Sequence, residues 1–128
     1  GLLSERFGLS SHWTEWFEAD LAWGGKSAGA GSLLGAVIFA PLFEELLFRG
    51  ALYGTLRVKL HWSLAAVAST LIFAVAHGYG LAGFGSVAVS GLLWCWAYEK
   101  TGSLLPGMIA HAGNNLAVAI TLLALLRA

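Results

Sequence analysis

Ala40-Pro41-Leu42-Phe43-Glu44-Glu45-Leu46-Leu47-Phe48-Arg49-Gly50 puts two adjacent carboxylates and an arginine inside a run otherwise apolar enough to enter a bilayer. A charged side chain at mid-membrane costs roughly 2.5–3.5 kcal/mol on insertion scales, so three in one helix need compensation. Spacing supplies part of it. Glu45 and Arg49 stand four residues apart and share a helix face, where they can pair. Glu44 is rotated by about 100° from Glu45 and has no cation in its own turn. An unpartnered carboxylate in apolar surroundings suits a general base or acid. A structural ion pair tying helices together accounts for Glu45 and Arg49 better than for Glu44. Pro41 removes a backbone hydrogen bond one turn earlier, which predicts a kink with looser packing.

The whole chain shares this character. Of its 128 residues, 58% are hydrophobic and 11% charged, and the net charge is zero. Soluble domains carry about 25% charged residues, so the composition predicts an all-α, polytopic membrane protein of one domain. Its Ala-, Gly- and Leu-rich make-up suggests a prokaryotic cell membrane. No basic run offers a surface for nucleic acid. The single cysteine, Cys95, has no internal partner for a disulfide and reads as a small packing residue. The first residues lack both a signal-peptide pattern and an initiator methionine, which predicts a piece of a longer membrane protein.

Two regions follow along the chain. In residues 1–31, Leu9, Trp13, Trp16, Phe17 and Leu21 recur at helical spacing, with Glu15 and Glu18 opposite. This predicts an amphipathic helix at the membrane interface, where tryptophans are favoured, followed by a flexible joint from Gly24. Residues 32–128 form the core, a bundle of four apolar segments. These run from Ser32 to Leu56, Trp62 to His77, Leu81 to Tyr98, and from an N-cap at Ser103 to Leu126. The second is short for a full span. The third is rich in the small residues that let membrane helices approach closely. Arg57, Lys59 and Lys100 on one side, against Lys26 and Arg127 on the other, slightly favour the first group as cytoplasmic.

Few ionisable or amide side chains remain inside the apolar segments: Glu44, Glu45 and Arg49, then His77, then His111 with Asn114 and Asn115. His111 and Asn115 share a helix face, and Asn114 points away from them. Intramembrane polar groups face one another or a wet cavity, and a joint site gives all of these a single cause. Glu44 can deprotonate a water that His77 holds. His111 and Asn115 can donate to an oxyanion growing on a substrate carbonyl. That assembly suits amide hydrolysis without a covalent intermediate and requires no cofactor. Zn²⁺ held by Glu44, His77 and His111 is the alternative, without the His-Glu-x-x-His spacing that would single it out. A non-enzymatic membrane interaction protein, and a small transporter or proton relay, are the other classes compatible with these residues.

At these positions the chain resembles the CAAX prenyl protease 2 and bacteriocin-processing intramembrane proteases, also called CPBP or Abi proteins. Glu44-Glu45-Leu46-Leu47-Phe48-Arg49 fits E-E-x-x-x-R, Phe73-Ala74-Val75-Ala76-His77 fits F-x-x-x-H, and His111-Ala112-Gly113-Asn114-Asn115 fits H-x-x-x-N. Thr101-Gly102-Ser103-Leu104-Leu105-Pro106 looks like the family's lead-in to the last motif. The resemblance implies a glutamate-dependent intramembrane endopeptidase. Glu44 and His77 would activate water, His111 and Asn115 would form the oxyanion hole, and Glu45 and Arg49 would support them. Its substrate would be a peptide or protein reached from the lipid bilayer, including one prenylated at its C-terminus as in CAAX processing. Prokaryotic members are linked instead to bacteriocin maturation or self-immunity. The motifs leave metal dependence open. Family members usually have more membrane helices than four, so further helices before Gly1 or a reduced version are implied.

Overall fold

The computed structural model describes residues 26–126, and these are helical with short connections. The interfacial helix expected around Leu9–Trp23 lies outside the described residues. Helix α1 covers residues 26–57, α2 is Trp62–Ala76, α3 is Leu81–Thr101 and α4 is Leu105–Leu126. These match the four apolar segments, except that α1 begins at Lys26, so the end of the expected joint is helical. The Ser103 hydroxyl accepts the Leu105 N–H at 3.2 Å, the N-terminal cap expected for α4.

Three helical stretches, Gly29–Arg57, Leu81–Thr101 and Leu105–Ala124, are long and apolar enough to cross a membrane. α2 has 15 residues, about 22 Å of rise against a hydrocarbon core of about 30 Å. It is short for a full span, and His77 is its C-terminal cap. Large apolar side chains such as Phe43, Leu46, Val75, Leu93 and Ile109 point outward, as they do when lipid is the solvent. Inside, small residues bring α2 and α3 together: Ala65, Ala66 and Cys95 pack with Tyr53 of α1. The free Cys95 is buried against Ser69 and Thr70, the packing role expected for it.

Pro41 lies where α1 changes its hydrogen-bond register. α1 is π-helical at Gly35–Phe39 and again at Glu45–Tyr53, with α-helical turns at Lys26–Leu34, Ala40–Glu44 and Gly54–Arg57. The Ala40 N–H reaches back to the Gly35 carbonyl, the wider register. That register relieves the clash a proline ring makes with the carbonyl four residues before it. It also gives the Ala36 carbonyl residue 41 as its partner, a proline with no N–H. The Asn115 side-chain amide of α4 donates to that carbonyl instead, at 2.8 Å. Pro41 itself is buried.

Two glycines turn the chain at helix ends. Gly78 (φ 64°) follows His77, and Gly102 (φ 66°) closes α3 with its N–H on the Tyr98 carbonyl. Both occupy the left-handed region that side chains with a Cβ resist.

Candidate active site

The ion pair expected inside α1 is present. Arg49 Nη1 lies 3.0 Å from Glu45 Oε1, and both side chains are only 1% exposed. The arginine is held from three other directions. Its Nη2 donates to the Gly91 carbonyl of α3 at 3.3 Å. Its guanidinium carbon sits 4.3 Å from the Phe73 ring centre and 5.1 Å from that of Trp94, within cation–π range. The fit is close on both sides of the pair. A Cβ on Gly91 would stand 3.0 Å from Arg49 Nη2 and 2.9 Å from Thr70 Cγ2, and one on Gly107 would stand 2.8 Å from Glu45 Oε2.

Glu44 faces away from this pair, as its rotation by one residue requires, and meets the two histidines. Its Oε2 is 3.8 Å from His77 Nε2 and 3.4 Å from His111 Nε2. His77 Nδ1 lies 2.8 Å from the Phe73 carbonyl, which only accepts, so Nδ1 carries a proton. In the neutral ring Nε2 is then a lone pair turned toward the Glu44 carboxylate. The Phe of F-x-x-x-H thus does two jobs: its carbonyl sets the His77 tautomer, and its ring supports Arg49.

His111 bridges the two glutamates. Its Nδ1 is 3.1 Å from Glu45 Oε1 and its Nε2 faces Glu44. It is buried, and its ring stacks on Trp94 with centroids 4.0 Å apart and planes 19° apart. Glu44, His77, His111 and Asn115 all line one cavity of about 560 Å³, with small residues such as Ala36, Ala40 and Ser90 opposite. Asn114, expected to point elsewhere, lines it as well. Among the described residues, no three of His, Cys, Asp and Glu converge in an arrangement suited to a metal ion.

Two lining residues were invisible to a search for polar side chains. Trp94 is one aromatic in an apolar run, with no polarity to mark it. Tyr79, in the α2–α3 connection, has its ring 5.1 Å from that of His77. Burial pushes its phenol above the ordinary tyrosine range, and Glu44 adds to the effect.

These features define an integral, multi-pass helical membrane protein with a carboxylate–imidazole site buried between its helices. The model of the Rce1-like type II CAAX prenyl endopeptidase family matches residues 26–117, and the chain belongs to that family. It is also 33% identical over 84 residues to an uncharacterized 24.3 kDa protein of Escherichia coli, a match covering 62% of this chain. It spans 39% of that relative's length. No solved structure gives a significant match.

Proposed function

We propose that the chain carries the catalytic core of an intramembrane endopeptidase that hydrolyses a peptide bond with a water activated by Glu44 and His77. The single observation that carries this reading is the pair of acceptors, Glu44 Oε2 and His77 Nε2, facing each other across 3.8 Å in the cavity. A substrate water at the apex can donate one O–H to each. Its oxygen attacks the scissile carbonyl carbon while Glu44 takes a proton. The tetrahedral oxyanion collapses, the C–N bond breaks, and Glu44 returns the proton to the leaving nitrogen.

His111 is placed to receive the oxyanion. Its Nδ1 is held beside Glu45, and its Nε2 faces the cavity next to Glu44, within reach of an oxyanion formed there. Asn115 directs one amide hydrogen at Ala36, and its second is available for the oxyanion. Glu45 and Arg49 are positioning residues. The substrate is a peptide or protein that enters from the bilayer, and a C-terminally prenylated chain is the one to try first.

The test is cleavage of a peptide panel, prenylated and unprenylated, by reconstituted wild type and Glu44→Gln, with and without a chelator. Cleavage by wild type, unaffected by chelator and lost in Glu44→Gln, is the expected result. Cleavage that survives in Glu44→Gln overturns the mechanism, and loss on chelation overturns its independence of metal.

A further inference from the structure

Every helix except α3 gives the site an ionisable or amide side chain. α3 contributes Trp94, which is buried and touches the machinery of the other three helices. Its ring receives the Arg49 guanidinium of α1, lies 6.1 Å from the edge-on Phe73 ring of α2, and stacks on His111 of α4.

That stack supplies what the carboxylates lack. Glu45 and Glu44 approach His111 at its two opposed nitrogens, 3.1 and 3.4 Å away. Contacts at opposite ends of a ring fix where it sits but let it rock about the line joining them. A near-parallel indole at 4.0 Å blocks that rocking on one face, and the perpendicular Phe73 ring at 6.0 Å flanks the imidazole.

We infer that Trp94 is a positioning residue, which holds the His111 imidazole in the plane that aims Nε2 into the cavity. The inference rests on the oxyanion role given to His111 above. It predicts that Trp94 acts on turnover and leaves substrate binding largely alone. A displaced hydrogen-bond donor costs turnover steeply, since a misplacement of 1 Å is worth about 100-fold. Trp94→Leu, which removes the ring, should lower kcat about 10- to 100-fold while KM stays within about twofold. Trp94→Phe, which keeps a planar face, should recover most of that loss.

The experiment pairs these kinetics with NMR of histidine-labelled full-length chain in detergent micelles, with the His111 signals assigned by their loss in His111→Gln. Wild type should show His111 ring protons shifted upfield by the indole. Trp94→Phe should show a smaller upfield shift and Trp94→Leu none, with His77 signals unchanged, since no Trp94–His77 ring contact occurs among the described residues. Wild-type kcat in Trp94→Leu, or His111 signals that stay put in both variants, overturns the inference. If wild type cleaves no peptide, the peptidase reading fails. The ring-proton shifts then still decide whether Trp94 holds His111. Should Trp94→Leu fail to fold, the kcat and ring-proton shift of Trp94→Phe carry the same decision.

Discussion

Among the described residues, two arginine–glutamate pairs lie along this bundle, and they are built in opposite ways. Arg57 and Glu99 join α1 to α3 near the surface, with side chains 41% and 26% exposed. Both Nε and Nη2 of Arg57 donate to that carboxylate, Nη1 donates to the Leu60 carbonyl, and the Tyr53 hydroxyl donates to Glu99 at 2.5 Å. This pair is richly hydrogen-bonded. Arg49 and Glu45 sit one turn apart on a single helix, almost fully buried. Yet among the described residues Arg49 Nε and Nη1 and Glu45 Oε2 have no aligned hydrogen-bond partner. The exposed pair fastens two helices and is well solvated. The buried one is surrounded by Phe73, Trp94, His111 and two glycine surfaces, with His111 Nδ1 3.1 Å from Glu45 Oε1. Removing both buried charges together can be nearly neutral for folding, whereas removing one is expensive.

This contrast yields an ordered set of expected outcomes. Glu44→Gln, nearly isosteric, should reduce cleavage by about 10²–10⁴-fold, the usual loss of a general base, while the unfolding midpoint stays near that of wild type. Arg49→Ala should destabilise by about 3–5 kcal/mol by stranding Glu45, and thermal or denaturant unfolding in detergent would measure it. Glu44→Ala, which breaks no such pair, should destabilise less. Equal stability of the two would break the assignment of Arg49 to Glu45. Gly91→Ala should destabilise by about 1–3 kcal/mol through overpacking against Thr70 and Arg49. Arg57→Ala should give the smallest shift, one that shrinks further with added salt, since its pair is exposed and screened. A larger loss from Arg57→Ala than from Arg49→Ala would reverse the comparison.

Much of this was legible in the sequence because polarity inside an apolar chain is conspicuous. Glu44, Glu45, Arg49, His77, His111 and Asn115 stand out against four apolar segments, and helical rotation alone separated Glu44 from the Glu45–Arg49 pair. Other features left no such mark. The π register of α1 is a matter of which carbonyl each N–H reaches, and residue types do not encode it directly. Pro41 gave the one local hint, but a proline signals a lost hydrogen bond without saying whether the helix bends or widens. The link from Asn115 to Ala36 depends on that register and was equally hidden. Gly91 and Gly107 are two of 17 glycines, and only the position of the ion pair shows that these two admit no Cβ without displacement.

The central claim is that Glu44 and His77 act on one water, and a double-mutant cycle tests it most directly. Cleavage rates would be measured for wild type, Glu44→Gln, His77→Ala and the double variant on one peptide. Groups that serve the same water fail as a unit, so the double variant should be no slower than the slower single variant. Losses that multiply would mean that the two side chains act on separate steps, and the account of a shared water would be contradicted.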